Sequence, residues 1–95
     1  MIIARTVIHA KSGAINRLVD SMKRATENMP DRPRILTDLS GPMNTMVLET
    51  RHESLAAFEK WRTELFQNPS IQESDAEQEE LIDSGSNEFY TIEQE

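Results

Sequence analysis

The chain predicts a single α+β domain with the element order β-α-β-β-α-(α)-β. Three observations carry that expectation: strand-like and helix-like periodicities alternate along it, each junction has its own punctuation, and 95 residues at 37% hydrophobic composition suffice for one small core. The domain therefore spans residues 1–95.

The first segment, "IIARTVIHA", is rich in β-branched residues and reads as a strand with two unlike faces. Ile2, Ala4, Thr6 and Ile8 lie on one; Ile3, Arg5, Val7 and His9 lie on the other. Apolar residues then recur at Ile15, Leu18, Val19, Met22, Ala25 and Met29, the stripe of an amphipathic helix, which Pro30 ends. The stretch "RPRILTDLSGPMNTMVLETR" gives two strand-like runs, 34–40 and 45–51. Gly41, Pro42 and Asn44 between them are turn formers, so the pair is a hairpin with a loop longer than two residues. Ser54 is a good N-cap for a helix carrying Leu55, Phe58, Trp61, Leu65 and Phe66, which stops at Pro69. Ser74 and Glu77 have capping-box spacing and predict a third, short helix with an acidic first turn and Gly85 at its C-cap. The closing "NEFYTIEQE" reads as the last strand.

This order is the ferredoxin-like split βαβ arrangement: an antiparallel four-stranded sheet whose right-handed crossovers place the first strand between the third and fourth. Both main helices cover one face. That face should carry Ile2, Ala4, Thr6 and Ile8 with Met46, Leu48 and Thr50, because the opposite set holds Arg5 and His9, which are costly to bury unpaired. The far face combines Ile3, Val7 and Val47 with Arg5, His9, Glu49 and Arg51. It is too apolar for free exposure and too charged for a dry core, and a second copy of the sheet facing it explains the mixture. The expected assembly is a homodimer that traps a partly polar cavity.

Four residues are ligand-binding candidates on this reading. Arg5, His9 and Glu49 would line the cavity between sheets, although Arg5 and Glu49 also make an ordinary cross-strand ion pair. Trp61, the only tryptophan, is either a core residue of the second helix or the edge of a cleft between sheet and helix.

Composition excludes more than it identifies. There is no cysteine, which removes disulfides, thiol nucleophiles and iron–sulfur ligation and is compatible with the cytoplasm. A net charge of −7 argues against nucleic acid. All ten Lys and Arg lie at or before Arg62 with seven acids, while ten acids and no base follow, which reads as a solvated acidic face. Mean hydropathy is −0.59, no apolar run approaches the roughly 20 residues of a membrane span, and the N-terminal stretch has no signal-peptide core. His9 and His52 fall at opposite ends of antiparallel neighbours and cannot share a metal, and no other ligand spacing is present, so neither metal nor cofactor is expected. "SGAIN" and "DLSGP" lack phosphate-loop glycine spacing, and no serine has a nucleophile-elbow context.

Three stretches are similar to a known superfamily: "MIIARTVIHAKSG", "SLAAFEKWRTELFQNP" and "LIDSGSNEFYTIE". The chain resembles the dimeric α+β barrel proteins over essentially its whole length, and within them the NIPSNAP type, with antibiotic-biosynthesis monooxygenase-like domains as the nearest enzymes. The resemblance implies a homodimer with facing sheets; the function expected with it is an uncharacterised role that can include binding a small organic ligand in the cleft between sheet and helix, while charge and hydropathy leave no membrane or nucleic-acid partner expected. Its alternative implication is a cofactor-independent monooxygenase acting on a small aromatic or polyketide-like substrate. Trp61 is similar to the helix tryptophan of the monooxygenase and haem-degrading relatives. Their first-strand asparagine has no counterpart here, and neither histidine lies on the later segment where a haem ligand would be expected.

Overall fold

The β-branched N-terminal run becomes an inner strand of the sheet, the place where its alternation can be used on both faces. A computed structural model describes Met1–Glu95. In it, β1 (Ile2–Ala10) pairs antiparallel with β3 (Thr45–His52) on one side and with β4 (Ile82–Thr91) on the other. β2 (Arg34–Thr37) adds to the outer edge of β3, giving the strand order β2-β3-β1-β4. That is the ferredoxin-like order expected, with α1 (Ile15–Thr26), α2 (Leu55–Phe66) and α3 (Pro69–Leu81) as the helices. No helix is long and apolar enough to cross a membrane.

The register assigns the faces. Arg5 lies opposite Glu49, Val7 opposite Val47 and Ile8 opposite Met46, so the helix-facing set is Ala4, Thr6 and Ile8 with Met46, Leu48 and Thr50, as their alternation predicts. The core gathers on that face, under α1. Leu18 and Met22 of α1 pack with Ile8, Met46 and Leu81, and Leu18 and Met46 are wholly removed from solvent. Ser21 is also buried and accepts a 3.4 Å hydrogen bond from the Gln78 side-chain amide; so small a residue lets α3 come close to α1.

Two local choices set the ends of these elements. Gly13 (φ +79°) makes the left-handed turn that leads β1 into α1, and Gly41 (φ +98°) does the same in the hairpin loop, where Asn44 also has positive φ. Lys23 and Arg24 occupy the last turn of α1, where the helix dipole favours cations.

The structure departs from the sequence expectation at several points, and α1 ends at Thr26, short of the expected stop at Pro30. β2 ends at Thr37, because Asp38 turns back to accept the Thr45 amide N–H at 2.9 Å and opens the loop. α3 starts at Pro69, five residues before the expected cap: the Asn68 side-chain oxygen accepts from the Ser70 N–H and Pro69 fits the first helical turn, so the proline that ends α2 also begins α3. Ser74 is inside the helix and donates its hydroxyl to the Ser70 carbonyl. β4 begins at Ile82, which places Gly85 inside a strand opposite Ile8 and not at a helix C-cap. Finally, Leu55 projects into solvent at 57% exposure; α2 buries a narrower stripe than its apolar spacing predicts.

Candidate functional site

Phe58 is the one fully buried side chain of α2. The helix is well started, its Ser54 hydroxyl oxygen accepting from the Ala57 N–H at 3.1 Å, yet Leu55 and Phe66 at its two ends are more than half exposed. Phe58 meets the sheet through rings: Phe89 of β4 stands edge-on to it at 5.1 Å, and His52, the last residue of β3, at 5.4 Å. Trp61, one turn on, leans on His52 at 5.3 Å and remains half-buried. These rings prop α2 away from the sheet.

The space left behind is a pocket of about 300 Å³ between the sheet, α2 and α3. Its floor is Thr6, Leu48, Thr50 and Asn87; Trp61, Leu65 and Ile71 wall it, and Arg62 and Asp75 stand among its lining groups. A cavity of this size is at the lower end of small-molecule sites, which are mostly apolar with a few placed polar groups.

Those polar groups can be counted. Thr6 donates its hydroxyl to the Asn87 side-chain carbonyl at 2.9 Å, which leaves the Asn87 amide N–H groups without a protein acceptor and the Thr6 oxygen free to accept. Thr50 shares a 2.8 Å hydrogen bond with His52 Nε2. Thr26, which also borders the pocket, is spent, since its hydroxyl donates to the Met22 carbonyl at 2.8 Å. Burial lowers the His52 pKa below 6.5, against an opposing pull from Asp31, so the ring is neutral at neutral pH. The floor therefore offers the Asn87 amide as a free donor, beside two threonine hydroxyls that are already engaged.

The four sequence-derived candidates divide between two faces. Trp61 borders the pocket, and its other side borders an open groove of about 580 Å³ that reaches Arg34, Glu49 and Arg51 at the β2 edge. Arg5, His9 and Glu49 lie on the far face of the sheet. Arg5 is opposite Glu49, as expected, with Nε and the carboxylate 4.0 Å apart; that is an ion pair but not a hydrogen bond, and Nε has no partner. The Arg5 guanidinium lies 5.5 Å from the Tyr90 ring centre, while the Tyr90 hydroxyl donates to Glu88, which holds its pKa above the ordinary 10.0. His9 Nδ1 is 3.2 Å from the Thr45 hydroxyl; that hydroxyl gives its proton to the Pro42 carbonyl at 2.8 Å, so the imidazole must be the donor and carries its proton on Nδ1. His9 and His52 sit at opposite ends of the sheet and on opposite faces, and nowhere do three His, Asp or Glu side chains cluster as metal ligands.

Sequence reasoning passed over Asn87 and Thr50 as pocket residues, and over Phe89 and His52 as the rings that meet Phe58. The signal was strand parity: Asn87 and Phe89 alternate with Glu88 and Tyr90, so they share the face that pairs with Thr6 and Ala4.

No family model matches the chain, and no curated protein matches it in sequence. Solved structures do resemble it in fold. A NIPSNAP family protein of unknown function from Agrobacterium tumefaciens is 18% identical, with a TM-score of 0.80 over 95% of this chain and 86% of that one. An uncharacterised NIPSNAP domain protein from Burkholderia xenovorans is 14% identical, with a TM-score of 0.82 over 96% and 93%. A candidate antibiotic biosynthesis monooxygenase from Chloroflexus aurantiacus is 15% identical, with a TM-score of 0.71 over 95% and 91%. The chain thus shares the ferredoxin-like fold of NIPSNAP and monooxygenase-like proteins.

Proposed function

We propose that this chain is a NIPSNAP-type homodimer that binds a small, mostly apolar organic molecule in the pocket beneath α2. The observation that carries the reading is that pocket: a ring-walled space with a single unsatisfied amide, Asn87, on its floor. Such a site suits a flat or ring-bearing molecule with one acceptor oxygen, held by Asn87 and stacked against Trp61. Arg5, His9 and Glu49 belong on this proposal to a second, polar interior between the two sheets. The absence of cysteine fits a reducing compartment such as the cytoplasm.

Dimerisation is supported by how little the single chain buries: 15 of 95 residues, with Ile3, Val7, Leu36 and Val47 only half-covered on the far face. Val47→Asp, which puts an unpaired acid into that interface, should dissociate or unfold the dimer. An unchanged mass by light scattering, with an unchanged melting temperature, would count against this face. Ligand binding is tested by a thermal-shift screen of aromatic and polyketide-like compounds, with each hit titrated against Trp61 fluorescence. Asn87→Ala should weaken a true ligand without moving the unliganded melting temperature by more than a degree or so, because Asn87 is exposed.

A second reading, a cofactor-independent oxygenase acting on an aromatic or polyketide-like substrate, draws on Trp61 and Asn87 lining one pocket and on the likeness to the monooxygenase-like protein. Asn87 reaches the pocket from β4, beside β1, and so supplies the amide that the first strand lacks. Dioxygen consumption dependent on a screening hit, lost in Trp61→Phe, would favour it over simple binding.

A further inference from the structure

The far face of the sheet carries one row of four charges in register. Arg34 of β2 lies opposite Glu49 of β3, Glu49 opposite Arg5 of β1, and Arg5 opposite Glu88 of β4. Across the strand order β2-β3-β1-β4 the row reads plus, minus, plus, minus. Within the chain it is poorly closed. Only Arg5 and Glu49 approach as an ion pair, at 4.0 Å, Arg5 Nε has no hydrogen-bond partner, and neither Arg34 nor Glu88 has an ion-pair partner of its own. Glu49 is nonetheless buried, an environment in which a carboxylate needs compensation.

A row that alternates over an even number of strands changes sign when reversed, and this decides how two copies can stack. With strands aligned, there are two ways to lay one sheet over another by a two-fold axis between them. An axis across the strands at the level of this row puts β2 over β2 and β4 over β4, so that every charge meets its like. An axis along the strands puts β2 over β4 and β3 over β1, so that Arg34 meets the other copy's glutamate at 88 and Glu49 meets the arginine at 5. The next row agrees: Val7 and Val47 are register partners on β1 and β3, and the same axis lays each on the other, closing an apolar pair.

We propose that this four-charge row is a self-recognition code that fixes the dimer's orientation with β2 of each copy over β4 of the other. It rests on the homodimer proposed above and adds the axis and the residues that select it. Charged rows of this kind act chiefly on specificity, by penalising the wrong pairing, and less on raw affinity.

The test uses the two edge positions. Residues 34 and 88 lie on opposite edges of the sheet, separated by three strand spacings or roughly 14 Å, so any coupling between them must pass between chains. Arg34→Glu makes a chain with acids at both edges, and Glu88→Arg one with bases at both. Each variant should repel itself in the proposed orientation, with a homodimer Kd raised on the order of tenfold or more. Mixed together they should pair, because each acidic edge then meets a basic one. Differential mass tags and native mass spectrometry read the outcome directly. A strong excess of mixed dimers over the statistical half, with the double variant Arg34→Glu/Glu88→Arg dimerising again on its own, is the expected result. Dimers that mix statistically, or edge effects that simply add in the double variant, would overturn the code while leaving the homodimer standing. A monomeric wild-type chain would overturn both. Both sites are on edge strands, and melting curves verify folding; should either substitution prevent it, Arg34→Asp with Glu88→Lys gives the same contrast.

Discussion

The two main helices sit on the same face of the same sheet and do different things with it. α1 closes its half around Leu18, which is wholly buried in a cluster with Met46 and Leu81, and Ser21 admits α3; only Met22 and Thr26, toward its C-terminal end, reach the pocket. α2 holds its half open on three aromatic contacts and leaves a pocket of about 300 Å³. Interiors are packed like molecular crystals, and a void of that size loses dispersion contacts along its whole lining. The lesson is that one half of the layer supplies stability and the other leaves open the space we propose for a ligand. Substitutions should therefore have unequal effects at chemically similar positions.

The largest effect belongs to α1. Leu18→Ala removes a wholly buried side chain from a closed core and should cost about 4 kcal/mol, read from urea midpoints. Phe58→Ala should cost somewhat less, about 3 kcal/mol, because the ring is buried but one side of it opens on the pocket. Overpacking separates the halves more sharply: Ser21→Leu at the α1–α3 contact should cost about 2 kcal/mol, whereas Ile71→Phe, which grows into the pocket, should stay within about 0.5 kcal/mol of wild type. Trp61→Ala falls between, at about 1.5 kcal/mol, well under the loss for a fully buried aromatic. A Trp61 variant as costly as Leu18→Ala would mean that α2 is core after all.

The smallest effect is a pH dependence. The His52 pKa is lowered below 6.5 by burial, so the unfolded chain binds a proton that the folded chain refuses. Stability is then lost as pH falls through about 6.5, and the loss stops once the folded ring titrates as well. Replacing His52 by Phe keeps the ring contacts with Phe58 and Trp61 and should flatten the melting temperature between about pH 7 and about pH 5 relative to wild type. Equal slopes in the two proteins would remove His52 from the account.

The element order, the central place of β1 and the division of its faces were all legible in the sequence, since each follows from a local period and a local stop signal. Boundaries were legible only where a residue has one use. Pro69 has two, ending α2 and beginning α3, and "DSGSN" looks like a loop although it forms an exposed edge strand whose hydrogen bonds come from β1. Trp61 was legible only as a core residue or the edge of a cleft, without a choice between them; Asn87 was not legible as a pocket residue at all, because its importance comes from pairing with Thr6, eighty-one positions away. Whether an apolar stripe fills its space or leaves a pocket depends on how far a helix stands from its sheet, and no period in the sequence records that distance.

The direct test of the division between closed and open halves is an amide-resolved NMR titration with 2-naphthol, a planar probe carrying one hydroxyl. Saturable shifts should gather at Thr6, Asn87, the stretch from Phe58 to Leu65 and the facing part of α3 around Ile71, with Leu18 and Ser21 unmoved. Shifts spread over the surface, or none at these positions up to millimolar probe, would contradict the claim that the space beneath α2 is a binding pocket.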